Sequence, residues 1–174
     1  MKISGAGLFL FSAAGAMNER LKDILGRHEG RRRFPYDDAD GQRIGLGKRT
    51  IRGRLTIGKG RNLEAVGLSD DEIEHLFEND IKRAGAGARR LIRNFDSLSE
   101  NRQIVVVSLT YMMGETGFHA WTDTRRHIEA GHFEEAARQI EKSKMYAQLG
   151  GDPPGTDDGK LERPEELAQM MREG

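Results

Sequence analysis

The sequence predicts an α+β fold, in which a small β-hairpin-rich N-terminal lobe precedes a larger all-helical C-terminal lobe. Three observations lead there. Within 31–63, Gly41, Gly45, Gly47, Gly53, Gly58 and Gly60 punctuate short Ile, Leu and Thr segments, the rhythm of strands joined by turns. From Ser69 onward, apolar residues recur at helical spacing instead. The length of 174 residues suits one ordinary domain, or two small lobes sharing a core. With 36% hydrophobic residues there is material for that core, and with no cysteine the chain excludes disulfide scaffolds, thiolate zinc sites and thiol nucleophiles.

Each element follows in order. Residues 1–16 are an N-terminal apolar extension: Lys2, an uncharged run centred on Leu8-Phe9-Leu10-Phe11, then Ala14-Gly15-Ala16. That outline admits a cleaved export signal, a weak membrane anchor that later releases, or an extension packed on the body. The run is shorter than the ~20 apolar residues of a stable spanning helix. The domain proper is expected to run over 17–174, with 31–63 its β lobe and 69–174 its helical lobe. Asn18-Glu19-Arg20 opens a helix whose stripe is Leu21, Ile24 and Leu25, and His28-Glu29-Gly30 closes it. Ser69-Asp70-Asp71-Glu72 reads as a capping box starting a long helix through Ile73, Leu76, Phe77 and Ile81. Gly85-Ala86-Gly87 is expected to weaken that helix before Leu91. Ser99 caps another, whose Ile104–Leu109 run is apolar nearly all round and so is expected at the centre of the lobe. His132–Lys144 is amphipathic, 150–159 is a loop, and Pro164 opens a short last helix.

The net charge of zero conceals an asymmetry: residues 1–61 carry 14 cations and 6 anions, and residues 62–174 carry 14 and 22. An anionic partner for the basic half is one reading, an unevenly charged solvated surface the other. The five histidines, at 28, 75, 119, 127 and 132, form no HExxH arrangement, so no metal site is expected. No phosphate-cradling loop precedes a helix, so nucleotide binding is not expected either.

The chemistry-bearing segment holds Glu29-Gly30, then Tyr36-Asp37-Asp38, then Thr56-Ile57-Gly58-Lys59-Gly60. Glycoside hydrolysis needs a protonated acid for the leaving oxygen and a base for water. Glu29, at a helix C-terminus, sits where the macrodipole disfavours a second negative charge, which raises a carboxyl pKa. Arg31, Arg32 and Arg33 would act the other way, so burial decides the sign. By spacing alone, a Glu at a helix end with an Asp nine residues later is a common pattern.

Taken together, Glu29-Gly30, Tyr36-x-Asp38-x-x-Gly41 and Thr56-Ile57-Gly58-x-Gly60 resemble, in order, the active-site segment of the T-even-phage lysozymes, the bacteriophage endolysins of glycoside hydrolase family 24. Met113-Gly114-Glu115-Thr116-Gly117-Phe118 resembles that family's helix-ending motif. Phe133-Glu134-Glu135-Ala136-Ala137 with Ser143-Lys144-x-Tyr146 is similar to a third block. The resemblance spans about Met17 to Tyr146, with a weaker echo in 163–174. It implies a lysozyme-like two-lobed fold and a muramidase that hydrolyses the β-1,4 bond between N-acetylmuramic acid and N-acetylglucosamine in bacterial peptidoglycan, with inversion and no cofactor. Inversion requires carboxyls roughly 6.5–9.5 Å apart.

Carried across by position, the resemblance makes Glu29 the general acid and Asp38 the residue that positions or activates water. Thr56 would hold that water by its hydroxyl, with Thr50 as a weaker competitor. Asp37 is then read as a solvated neighbour. Asn62, Tyr111, Thr124 and Gln139 align with substrate-facing positions by block offset, each with a plain packing or interlobe role as its competitor, and Arg163, beyond the 150–159 insertion, is matched to a basic substrate-binding residue near the catalytic acid. Glu115 is read as bridging a helix end, and Trp121 as core.

Two departures stand out. Arg61 occupies a family histidine position whose aspartate partner aligns with Asp80, which predicts an Arg61–Asp80 ion pair. Between Gly41 and Thr56 the chain has 14 residues where the family typically has two, read as a longer β-hairpin. The basic stretch 43–61 contains Arg43, Lys48, Arg49, Arg52, Arg54, Lys59 and Arg61 and no acid. It is expected either to hold anionic envelope polymers or to be a charged edge that discourages strand-to-strand association. The expected setting is the host cytoplasm and then the periplasm and cell wall at lysis, with the N-terminal segment as an export route. The expected state is a monomer that binds no nucleic acid. The alternatives are a lytic transglycosylase, a non-catalytic wall-binding protein, or a nucleic-acid binder using the basic hairpin.

Overall fold

The structure is a computed structural model that describes residues 19, 21–25, 27, 31–45, 51–144 and 163–174. The chain divides into two compact units, Met1–Asp70 and Asp71–Gly174. The architecture is α+β: among the described residues, a three-stranded antiparallel sheet in the first unit and five longer helices in the region that follows it.

In the first unit, residues 19, 21–25 and 27 are helical, as the Leu21, Ile24 and Leu25 spacing predicts, although Leu21 and Leu25 stand about half exposed. The sheet comprises β1 (Arg32–Asp37), β2 (Leu55–Gly58) and β3 (Arg61–Asn62), in that spatial order. Tyr36 lies opposite Thr56, Asp37 opposite Leu55, and Thr56 opposite Asn62. The β2–β3 turn places Gly58 and Gly60 at φ of 68° and 77°, a left-handed backbone that side chains resist. Asn62 then caps a single helical turn, α1 (Leu63–Val66).

The outer edge of β1 is occupied as well. The Asp37 N–H donates to Gln42 O at 3.0 Å and the Ile44 N–H to Pro35 O at 2.8 Å, so 42–44 returns along β1. Arg43 stacks its guanidinium 3.6 Å from the Phe34 ring centre, and Arg32 lies 4.4 Å from that of Tyr36. A longer hairpin was expected over 42–55. Of that stretch, 46–50 lie outside the described residues, and the first limb makes one isolated antiparallel bridge with β1, Tyr36–Arg43. On the other limb, the N–H groups of Arg52, Gly53 and Arg54 donate to aspartate side chains.

The helical region comprises α2 (Asp70–Leu91), a 3₁₀ turn (Phe95–Ser97), α3 (Glu100–His119), α4 (Thr122–Glu129), α5 (Phe133–Glu141) and α6 (Arg163–Glu173). Its core gathers Ile92, Phe95, Val105, Val106, Leu109, Phe118, Ile128, Ile140 and Met171 among others, with α5 packed on α4 and α6, and α3 on α6. Arg102, in the first turn of α3, donates to the carbonyls of Met171 and Arg172 at 3.0 and 2.9 Å, closing the end of α6. Pro164 is buried in the first turn of α6, as its fixed φ suits.

Two helical expectations are corrected. α2 runs unbroken through Gly85-Ala86-Gly87. Gly87 is buried where a Cβ would lie 3.1 Å from Thr110 Cγ2 and 3.3 Å from Glu115 Oε2, so its lack of a side chain is what allows α3 to approach. That close packing offsets the ~1 kcal/mol a mid-helix glycine costs relative to alanine. In the Ile104–Leu109 run, Val105, Val106 and Leu109 are fully buried, but Ile104 is 44% exposed because the 3.6-residue repeat turns it to the outer face. Ile73, Leu76, Phe77 and Ile81 on α2 are also exposed.

Candidate active site

Asp38 is the first residue beyond β1, at the start of the Asp38–Asp40 turn, and is exposed. Its Oδ1 accepts the Arg54 N–H at 2.6 Å, and its own N–H donates to Arg54 O at 3.2 Å. Thr56, two residues further along the partner strand, is 4% exposed, and its hydroxyl donates to the same Arg54 carbonyl at 3.2 Å. The carboxylate of Asp38 and the hydroxyl of Thr56 thus both engage the backbone of one residue, Arg54, the first through its N–H and the second through its C=O. The register explains this, since Tyr36–Thr56 and Asp37–Leu55 pairing continues to Asp38 and Arg54, with residues of equal parity on one face.

Asp37 is the principal correction. Expected as a solvated neighbour, it is 0% exposed. Its Oδ1 accepts from Ala39 N–H at 3.1 Å and Gly53 N–H at 2.8 Å, and its Oδ2 from Arg52 N–H at 2.8 Å. Backbone donors on the facing limb fix which of the two adjacent aspartates is inside, and they lie fifteen residues away, beyond the reach of a local reading. Gly53 belongs to the same knot: a Cβ there would overlap Asp38 Oδ1 and come within 2.7 Å of Ala39 N and Asp37 Oδ1. The sequence signal for it was only that of a turn glycine.

Glu29 lies outside the described residues, as do Thr50 and the side chain of Arg163, whose backbone begins α6. Asn62 Oδ1 accepts the N–H groups of Glu64 and Ala65 at 3.0 and 3.1 Å, a helix-capping role. Tyr111, 44% exposed on α3, meets Phe77 edge-on with ring centres 6.0 Å apart. It lines a groove of about 370 Å³ with Asp80, Arg83, Ala84, Thr110, Gly114 and Glu115. Thr124 is buried on α4 and Gln139 half-buried on α5; neither lines that groove.

Arg61 Nε donates to Gly67 O at 2.7 Å, while Asp80 Oδ1 accepts from Arg83 at 2.7 Å.

The Met113–Phe118 block marks a break in α3. Gly114 has φ 69° and ψ 164°, outside helical values, and Thr110 returns its hydroxyl to Val106 O at 2.8 Å just before it. Glu115 bridges to α2 through Arg90, whose Nε lies 2.9 Å from Oε1. Hydrogen bonding from Arg90 holds the Glu115 carboxyl below its ordinary value; burial opposes this, and the charges of Arg90 and His119 reinforce it. Trp121 packs on the core, as expected.

Among the described residues, no three His, Cys, Asp or Glu side chains gather as a metal site would need, and no helix is long and apolar enough to cross a membrane. No protein-family model matches the chain.

Proposed function

We propose that the protein is a phage-type lysozyme with a lysozyme-like two-lobed fold, an inverting muramidase that hydrolyses the β-1,4 bond between N-acetylmuramic acid and N-acetylglucosamine during host lysis. The observation that carries the reading is the backbone of Arg54, whose N–H donates to the Asp38 carboxylate and whose C=O accepts the Thr56 hydroxyl. An ionised carboxylate and a hydroxyl side by side can orient one water, with Oδ2 of Asp38 taking its proton as it attacks the anomeric carbon. Glu29 protonates the departing oxygen, so the proton lost by water and the proton gained by the sugar balance over one turnover. Tyr111 and its groove supply a surface for the glycan or its peptide, and the exposed Arg43, Arg52 and Arg54 attract anionic envelope polymers.

Turbidity loss on purified peptidoglycan tests activity, and product analysis tests its type. The expected products carry a free reducing end, formed initially as the inverted anomer. Glu29→Gln and Asp38→Asn should each lower turnover by about 10²–10⁴-fold. Failure of the wild-type chain to clear peptidoglycan, or an anhydro-sugar product, would overturn the proposal.

A further inference from the structure

The sheet unit contains a buried carboxylate that the proposed reaction does not use. Asp37 is fully enclosed and yet accepts three backbone N–H groups, two of them from Arg52 and Gly53 across the sheet. An ionised acceptor in such a site is costly unless its oxygens are met by donors. Charge-assisted bonds of this kind are also the stronger and more directional ones. The bonded donors belong to the peptide units immediately before Arg54.

We infer that Asp37 is a positioning residue which, with Gly53 as its close-packed partner, fixes the backbone on both sides of Arg54 so that Asp38 and Thr56 are presented to one water. The inference rests on the lysozyme reading above. Its geometry is a relay of three short links. Asp37 pins the N–H groups of Arg52 and Gly53; the next N–H, that of Arg54, reaches Asp38 Oδ1 at 2.6 Å; and Arg54 O takes the Thr56 hydroxyl at 3.2 Å. Gly53 is required because any Cβ would occupy the space of the Asp38 carboxylate. Asparagine at 37 keeps the volume but offers one acceptor oxygen, so its NH₂ group must face a backbone donor. Displacement of the 52–54 backbone by about 1 Å then misplaces both reacting-site groups, an error that can cost about 10²-fold in rate.

The experiment uses the full chain, with soluble peptidoglycan fragments as substrate and the Arg54 amide proton as a spectroscopic reporter. A 2.6 Å bond to a carboxylate should move that proton well downfield, and Asp38→Asn should abolish the shift. Asp37→Asn and Gly53→Ala should each lose the shift and lower kcat about 10–100-fold, with KM changed less than twofold and the Trp121 fluorescence unfolding midpoint unmoved. Gly53→Ala also presses on Asp38 directly, so where Asp37→Asn does not fold, Asp37→Ser, which removes the carboxylate without adding bulk, decides the matter. Retention of the shift and of kcat in these variants, with Asp38→Asn inactive, overturns the positioning role and leaves the lysozyme reading standing. An inactive wild-type chain overturns that reading instead, and the Arg54 resonance then still decides whether Asp37 sets the peptide.

Discussion

The sheet unit and the helical unit are held by different physics. Among the described residues, the sheet unit buries only Tyr36, Asp37 and Thr56, and two of those three are polar. Its order comes from directed hydrogen bonds: backbone donors aimed at Asp37 and Asp38, an arginine over each of two rings, and a helix cap at Asn62. The helical unit instead gathers a contiguous apolar cluster from the end of α2 to α6. Apolar burial is large and tolerant of direction, whereas hydrogen bonds have small net worth but define position. Strength therefore sits in the helices, and the placement of groups sits in the sheet.

The largest expected effect strikes the apolar side of that contrast. Phe118→Ala, at a position with no exposure, should cost about 3–5 kcal/mol, read as a lower urea midpoint by the fluorescence of Trp121, the only tryptophan. Asp37→Ala should cost the sheet unit about 1–3 kcal/mol by leaving buried donors unmet. Hydrogen exchange at the Arg52 and Gly53 amides should then accelerate while the Trp121 midpoint stays put. A fall in that midpoint would show that the contrast between the units is false.

Two glycines two residues apart sharpen the packing side. Gly87→Ile should destabilise by about 1–3 kcal/mol, because its side chain meets Thr110 and Glu115. Gly85→Ala, whose nearest new neighbour is Arg89 at 3.9 Å, should stabilise by about 0.5–1 kcal/mol. Thermal melts of both variants check the opposite signs.

The smallest effect is electrostatic. The Arg93 guanidinium hydrogen-bonds Glu129 and holds its carboxyl below the ordinary value, against burial and with help from the Arg93 N–H and the Arg93 and Arg125 charges. A lowered folded-state pKa means the contribution is complete above the unfolded value of about 4.3 and disappears as pH falls through the folded one. Glu129→Gln should therefore flatten the acid limb of helical-unit stability and leave the rest of the pH profile unchanged.

Much of this division is legible in the sequence, for reasons that differ between the units. The helix limits at Asp70, Ser99 and Pro164 are written in local caps and 3.6-residue stripes. The turn at Gly58–Gly60 is equally local. What escapes a linear reading is everything decided by a distant partner. Gly87 is a helix breaker by propensity and a packing device by its neighbours on α3. Asp37 and Asp38 are chemically identical, and which one is buried depends on N–H groups fifteen and more residues later. Asn62 reads as a polar cleft residue until the single helical turn it caps is seen.

The docking of α6 has a consequence for how the protein tolerates cleavage. Leu167, Ala168 and Met171 are core residues, and Arg102 clasps the final carbonyls of α6, so this helix is attached by its own surface as well as by the chain that leads to it. A protease cutting between 145 and 162 should leave a nicked molecule whose two fragments migrate together until denatured. Separately expressed pieces should complement one another in the same way.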